Sequence, residues 1–244
     1  MRFATFELDG KAVWGLASDT GLHAVDSATL ARYPSLKAAI AADALASVAA
    51  NLKDSAPSVS LADAQFLPVI PDPEKILCVG LNYEAHRLEG GWPEVEHPTI
   101  FGRFANSQIG HRQPLIKPKV SDMLDYEAEL AVVIGTPGRH IAEADAMDHV
   151  AGYACYNEGS VRDWQRHTTQ FTPGKNFIGT GAFGPCLVTP DEISDFGSLV
   201  MEARLNGAVM QHTKLDDLVF PVPRLIVIEI DKIGLLSNPI VAET

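Results

Sequence analysis

Three carboxylates alternate along one short segment of the chain, LDYEAELAVVIG at 124–135. In an extended strand, residues two apart lie on the same face, so Asp125, Glu127 and Glu129 would point in one direction. The residues after Glu129 are apolar and indicate that the strand enters a core, where carboxylates are costly unless they are paired or coordinated. Two interpretations stay open: a solvated strand end that bears surface acids, or hard oxygen ligands for Mg²⁺, Mn²⁺ or Ca²⁺.

Three further segments offer partners for such a site. Glu158 in YNEGSVRDWQRH (156–167) would be a third carboxylate. His86 and Glu89 in NYEAHRLEGG are three residues apart, which makes them neighbours on a helical turn. A carboxylate beside an imidazole suits a general base, although the spacing by itself favours an exposed His/Glu pair. Lys175 lies in the glycine-rich PGKNFIGTGAFGP, either on a surface loop or on a flexible lid that delivers an ammonium to an anionic substrate.

The composition of the 244-residue chain, 46% hydrophobic and 20% charged, is typical of a soluble globular protein. Nineteen basic and 31 acidic residues give a formal charge of −12, which disfavours nucleic acid and anionic membranes as partners. No apolar run approaches the roughly 20 residues that span a bilayer, and the charged start MRFATFELDGK does not resemble a secretion signal. Cys78, Cys155 and Cys186 lack CxxC spacing and predict buried free thiols, hence a cytoplasmic protein.

A proline-rich stretch, LPVIPDPEK, divides the chain into residues 1–70 and 71–244. In the first part, the turn residues Asp9-Gly10 and Asp19–Gly21 predict hairpins, and one helix is predicted over 35–52. The second part reads as short strands with few helices, including a hairpin at Asn206-Gly207, and it contains no phosphate-binding glycine motif. We predict an α+β fold with a small β-rich N-terminal domain and a larger catalytic domain.

Six motifs of the second part, taken in order, resemble those of the fumarylacetoacetate hydrolase family: VGLNYEAH, LDYEAELAVVIG, HVAGYACYNEGSVRDWQ, PGKNF, GAFGPCLVT and LNG. The resemblance covers about residues 70–244. It implies a mixed-sheet β-roll fold, usually a homodimer, with a divalent metal in the site. The small N-terminal unit also looks like the one that many bacterial members carry.

The resemblance implies a metal site with three ligands. Glu127 and Glu129 match the two glutamates of the family's metal-binding ExE motif. Glu158 stands where the family usually has an aspartate, so the site would be slightly reshaped by the longer side chain. Mg²⁺ or Mn²⁺ is the expected cofactor, and Ca²⁺ would be able to take its place in a crystal.

The resemblance also implies roles for residues around the metal. His86 and Glu89 fall on the family's water-activating pair, and Lys175 falls on its active-site lysine. Arg103 and Gln165 are expected to contact the substrate, Arg103 through a carboxylate. Because EAHRLEGG ends in two glycines that can serve as a hinge, the segment 84–91 is predicted to be a mobile lid.

One departure from the family pattern follows Ile226. The family normally continues for several dozen residues with a GTPxG segment, whereas here VIEIDKIGLL follows at once. Either the segment is lost, or residues are missing from the numbering because they were disordered. We favour the second explanation, since loss of an internal segment would expose a core.

The resemblance therefore implies a metal-dependent hydrolase that cleaves a carbon–carbon bond in a small acylpyruvate-type (2,4-dioxo) carboxylate. His86 would deprotonate water, and Lys175 would stabilise or protonate the enolate. Oxaloacetate decarboxylation and the isomerisation or hydration of muconate-like 2-oxo diacids share this enolate and stay open as alternatives. A catalytically inactive relative that acts as a binding protein is the alternative from another class.

Overall fold

The computed structural model describes residues 1–221 and 236–243. Over these residues, the strands are β1 (Arg2–Leu8), β2 (Lys11–Ser18), β3 (Gly21–Ala24), β4 (Gln65–Phe66), β5 (Ile76–Gly80), β6 (Thr99–Arg103), β7 (Gln108–Ile109), β8 (Leu115–Lys117), β9 (Leu124–Asp125), β10 (Ala128–Ile134), β11 (Val150–Glu158), β12 (Ser160–Val161), β13 (Gly181–Val188), β14 (Val200–Leu205), β15 (Ala208–Lys214) and β16 (Ile240–Ala242). The helices are α1 (Ser27–Arg32), α2 (Leu36–Ala41), α3 (Leu45–Leu52), α4 (Glu84–Glu89), α5 (Arg162–Gln165) and α6 (Thr172–Lys175). Short 3₁₀ turns cover Ala105–Ser107, Glu143–His149, Pro190–Glu192 and Leu215–Asp217.

The centre of the described structure is an eight-stranded sheet with the main order β10-β11-β13-β1-β2-β3, to which β4 and β7 add at β1 and β13. Its core is built from large apolar side chains with almost no exposure, among them Phe3, Trp14, Leu130, Tyr153 and Leu187. This arrangement of mostly sheet with a few short helices is the predicted α+β class. Within the described residues, no helix combines the length and the apolar content that crossing a membrane requires.

The N-terminal part contributes strands to this same sheet. β1 pairs antiparallel with β13, with Phe3 opposite Leu187, and with β2 on its other side. Residues from both sides of position 70 therefore share one hydrogen-bonded ladder. The division into a domain of residues 1–70 and a domain of residues 71–244 stays a prediction.

The predicted hairpins form where the sequence places residues that tolerate positive φ. Between β1 and β2, Asp9 and Gly10 have φ of 51° and 72°. Between β14 and β15, Asn206 and Gly207 have φ of 52° and 85°. Two consecutive residues with positive φ match the right-handed twist of the flanking strands, which is why these dipeptides predicted both turns correctly.

The single helix predicted over 35–52 is wrong, because the structure has two helices there. α2 ends at Ala41 and α3 begins at Leu45, and between them Asp43 adopts a left-handed conformation with φ of 50°. Asp is a weak helix former that tolerates this conformation. The break lets α2 pack against β1 while α3 packs against β2, so the two short helices cover different strands.

Two other predictions meet the structure only in part. Cys155 and Cys186 are buried as predicted, whereas Cys78 is half-buried. The strand predicted in VIEIDKIGLL and the junction after Ile226 lie outside the described residues, apart from Leu236. Both explanations of the junction, loss of the family segment and omission of disordered residues, therefore stay predictions.

Candidate active site

Three glutamates converge where β10 begins and β11 ends. In this antiparallel pair Glu129 lies opposite Tyr156, and the backbone N–H of Glu158 donates to the carbonyl of Glu127 at 2.8 Å. This register brings one carboxylate oxygen of each of Glu127, Glu129 and Glu158 within 4.8 Å of the others. The three predicted metal ligands are thus brought together, although Glu158 is 29 residues or more from the other two in the sequence.

Lys175 places a buried ammonium between two of these carboxylates. Its Nζ donates to Glu127 Oε2 at 2.6 Å and to Glu158 Oε2 at 3.1 Å, and it lies 5.0 Å from the centre of the Phe101 ring. The residue is only 2% exposed at the end of α6. The interpretation of this segment as a plain surface loop is therefore wrong for Lys175.

Arg162 supplies the second positive charge, and the sequence reasoning did not assign it a role. From α5 it donates to Asp125 through Nε at 2.8 Å and to Glu127 Oε1 through a guanidinium nitrogen. Ser160 also donates to Glu127 Oε1, at 2.9 Å. Gln165, predicted to contact the substrate, accepts from Arg162 at 3.0 Å. The sequence signal that could have identified Arg162 is charge balance, since a cluster of buried acids requires basic partners.

Arg103 lies behind Glu158. It is 3% exposed, and its guanidinium donates to Ser107 Oγ, the carbonyl of Gly159 and Thr180 Oγ1 at 2.9–3.3 Å. One of its nitrogens is 3.7 Å from Glu158 Oε1. Arg103 thus supports Glu158 from the protein side, and its contact with a substrate carboxylate stays a prediction.

The pKa values of the titratable groups in this cluster are shifted in different directions. Burial opposes ionisation of Glu127, but Lys175 and Arg162 outweigh it and lower the pKa of this carboxyl to about 2. Glu129 has a pKa well above its ordinary value because it is buried and faces the carboxylates of Glu158 and Glu127. Lys175 keeps its proton, because these carboxylates raise the pKa of its ammonium despite burial. The raised pKa of Glu129 therefore favours a neutral, protonated carboxyl when no cation is bound.

The donor set fits a hard divalent cation. Glu158 Oε1 is buried and, among the described residues, has no hydrogen-bond partner, which is costly for a carboxylate oxygen. Three carboxylates without sulfur or imidazole are the ligands that Mg²⁺ and Mn²⁺ prefer. A cation would coordinate this oxygen of Glu158 and would favour the ionised form of Glu129.

His86 and Glu89 lie apart from this cluster, on the surface of α4. His86 Nδ1 is 3.8 Å from Glu89 Oε2, and their side chains are 62% and 83% exposed. Among the described residues, the acidic side chain that lies within 4 Å of the His86 ring is that of Glu89. The predicted helical turn and pair are present, but the structure does not bring them into contact with the three glutamates.

Helix α4 nevertheless begins beside the cluster. Burial, Glu129 and Asp217 together raise the pKa of Tyr83, the residue before the helix, well above its ordinary value. Within this segment, Arg87 donates to both carboxylate oxygens of Glu84 at 2.7 Å and to the carbonyl of Trp92. That 84–91 moves as a lid stays a prediction.

A family model described as the C-terminal part of fumarylacetoacetate (FAA) hydrolase matches residues 75–241. Oxaloacetate tautomerase fahd2, mitochondrial, of Xenopus laevis is 42% identical over 170 residues, which are 69% of this chain and 53% of that protein. The chain thus spans about half the length of the curated relatives it matches.

Solved structures resemble the whole chain. A candidate HpcE protein from Mycobacterium smegmatis has a TM-score of 0.87 at 28% identity, with all of both chains covered. Maleylpyruvate hydrolase from Sphingobium sp. SYK-6, solved with manganese(II) and pyruvate, has a TM-score of 0.81 at 22% identity, again over all of both chains. These similarities confirm the predicted fold class.

Proposed function

Because the chain belongs to the fumarylacetoacetate hydrolase family, we propose that it is a metal-dependent enzyme that enolises a small 2-oxo diacid such as oxaloacetate. The observation that carries this proposal is the convergence of Glu127, Glu129 and Glu158 around the ammonium of Lys175. An enolate develops negative charge on the former carbonyl oxygen, and positive charge held in a buried site stabilises it most strongly.

The three glutamates would hold Mg²⁺ or Mn²⁺, which when bound supplies Lewis-acid polarisation of the 2-oxo group. The buried Oε1 of Glu158, which accepts no hydrogen bond among the described residues, supports this assignment. A structural neighbour named maleylpyruvate hydrolase, which this chain resembles in fold, was solved with a manganese(II) ion.

The remaining residues would transfer the proton and stabilise the enolate. Enolisation takes a proton from the carbon beside the oxo group and places one on the oxygen, and it consumes no water. His86, oriented by Glu89, would take the carbon-bound proton once α4 approaches the substrate. Lys175 would stabilise the enolate oxygen or protonate it. Gln165 and Arg103 are proposed to contact the carboxylates of the substrate.

Oxaloacetate leads because the relative that is 42% identical is named an oxaloacetate tautomerase. Hydrolysis of an acylpyruvate, the reaction expected first from the sequence, becomes the second candidate. The exposed His86–Glu89 pair favours it, since a base at the solvent boundary has direct access to water. Decarboxylation of oxaloacetate and isomerisation of muconate-like diacids start from the same enolate and belong to the same test.

The test is a substrate screen with and without metal. The protein is incubated with oxaloacetate, acetylpyruvate, fumarylpyruvate and a muconate-type diacid, each with Mg²⁺, with Mn²⁺ or with EDTA, and the loss of enol absorbance and the products are followed. We expect metal-dependent enol–keto conversion of oxaloacetate by the parent and by Glu7→Gln, a control at an exposed acid on β1, but none by Glu127→Gln.

Each other outcome selects a different function. Cleavage of acetylpyruvate or fumarylpyruvate without tautomerisation would favour the hydrolase. Tight Mn²⁺ binding without turnover of any substrate would favour a binding protein. Failure of the parent to bind Mn²⁺ would contradict the proposed metal site. The homodimer and the cytoplasmic location stay predictions, of which the first can be measured by sedimentation.

A further inference from the structure

The backbone between two of the proposed metal ligands is supported from outside the large sheet. Ala128, which lies between Glu127 and Glu129, is the first residue of β10. This strand is at the end of the sheet's main order. The N–H of Ala128 donates to Oε1 of Gln211 at 2.8 Å. Gln211 belongs to β15 of the β14–β15 hairpin. An amide at a sheet edge needs such a partner when it is shielded from water.

The chain that follows Gln211 reaches the other half of the proposed site. Asp217 Oδ2 accepts from the N–H of Ala85, in the first turn of α4, at 3.2 Å. A helix leaves its first N–H groups without backbone partners, so this carboxylate satisfies one of them. Tyr83, just before the helix, forms a β-bridge with Leu218.

Asn82 completes the attachment. Its side-chain amide pairs with the backbone of Phe220 in both directions, donating to the carbonyl at 3.2 Å and accepting from the N–H at 2.9 Å. The carbonyl of Asn82 accepts from Val219 at 2.8 Å. Asn82 is 2% exposed, so water does not replace these bonds. A two-way amide pair fixes orientation as well as distance.

We propose that residues 211–220, here called the bracket, hold the metal-binding strand and the His86 helix in register, with Gln211 and Asn82 as positioning residues. Gln211 acts on the spacing of Glu127 and Glu129 through the backbone of Ala128. Asn82 acts on His86 through the start of α4. This inference rests on the proposed function, because it assigns the bracket to the metal and base of that reaction.

The two attachments of the bracket, through Gln211 to Ala128 and through Phe220 to Asn82, have separable effects. Substitution Gln211→Ala leaves the Ala128 N–H without its acceptor, and we expect Mn²⁺ affinity to fall about 10–100-fold, as is common when residues that orient metal ligands are lost. Gln211→Glu keeps an acceptor oxygen and should restore affinity. Asn82→Ala should lower kcat at least 10-fold while leaving KM and Mn²⁺ affinity within about twofold of the parent, a kcat loss typical of a misplaced catalytic group.

The experiment combines Mn²⁺ calorimetry, amide hydrogen exchange and oxaloacetate turnover. Met210→Ala, at an exposed neighbour of Gln211, is the control and should match the parent. We expect faster exchange at Ala128 in Gln211→Ala and in Gln211→Asn, whose amide is one carbon too short. The second variant decides the matter if the first does not fold.

The outcomes separate the inference from the function. Unchanged exchange at Ala128 and unchanged Mn²⁺ affinity in both Gln211 variants would overturn the bracket while leaving the function standing. Equal loss of metal affinity in Asn82→Ala and Gln211→Ala would also overturn it, since the ends would not act separately. A parent that neither binds Mn²⁺ nor turns over oxaloacetate refutes the proposed function, and with it the bracket's catalytic role.

Discussion

Replacement of Lys175 by methionine keeps most of the side chain's length and removes the ammonium that neutralises Glu127 and Glu158. In the structure this ammonium is 2% exposed and lies 2.6 Å and 3.1 Å from the two carboxylates. Arg162 still pairs with Glu127 after the change. Among the described residues, the positive charge that remains beside Glu158 is the Arg103 guanidinium, with a nitrogen at 3.7 Å. The variant therefore leaves a buried carboxylate with weak compensation.

The expected magnitude follows from this geometry. Removal of one partner from a buried ion pair destabilises a protein by about 3–5 kcal/mol. For a chain of this size, each kcal/mol lowers Tm by roughly 2–4 °C. We therefore expect the metal-free Lys175→Met protein to melt about 6–20 °C below the parent in EDTA.

Metal should reverse much of this loss. A cation that binds only the native state stabilises it, and in the variant it no longer competes with a neighbouring ammonium. We expect Mn²⁺ to raise the Tm of Lys175→Met by more than it raises the Tm of the parent. Oxaloacetate turnover should be lost even with metal present, because the group that stabilises the enolate is gone.

The assay is thermal unfolding in EDTA and along a Mn²⁺ titration. Lys37→Met is the matched control, because Lys37 also pairs with an acid, Asp72 at 2.8 Å, but at the surface. Such pairs contribute about 0–1 kcal/mol, so its Tm should hardly move. An unchanged Tm of Lys175→Met in EDTA would refute the buried ion pair. A Mn²⁺ response no larger than the parent's would refute the competition between ammonium and metal.

Three more outcomes are expected. Burial, aided by the charge of Arg112, lowers the pKa of His111 to about 4 from its ordinary 6.5. Its Nδ1 accepts from the N–H of Ser237. The unfolded chain therefore binds a proton at this residue more readily than the folded chain does. The free energy of unfolding should be highest above pH 6.5 and fall by up to about 3 kcal/mol as the pH drops from 6.5 through 4. Urea unfolding at pH 7 and pH 4.5 measures this, and a His111→Gln variant with the same loss would contradict it. Because Glu129 has a raised pKa in the metal-free cluster, Mn²⁺ binding should release a proton and tighten with pH. Calorimetry in buffers of different ionisation enthalpy tests this, and Glu129→Gln should show no such release. His86→Ala should abolish turnover with Mn²⁺ affinity nearly unchanged, whereas Glu89→Gln should slow turnover less; parental turnover in His86→Ala would exclude it as the base.

The sequence by itself determined the features that depend on a few adjacent residues. Asp9-Gly10 and Asn206-Gly207 predicted their hairpins because backbone conformations with positive φ favour these residue types locally. The alternation of Glu127 and Glu129 predicted a shared face, since side chains in a strand repeat every two residues. The motifs predicted the family, because their order along the chain is a property of the sequence and does not depend on the tertiary structure.

Only the tertiary structure decided what depends on residues distant in the sequence. The register of β10 on β11 brings Glu158 to the other two glutamates, and no local pattern encodes that register. The same holds for Lys175, whose glycine-rich surroundings resemble a loop although packing buries the residue. The break between α2 and α3 arose because two strands had to be covered, which outweighed the helical periodicity of 35–52. Charge pairing and burial are properties of the assembled neighbourhood, and the free energy of a buried ion is set by groups that only folding brings near it.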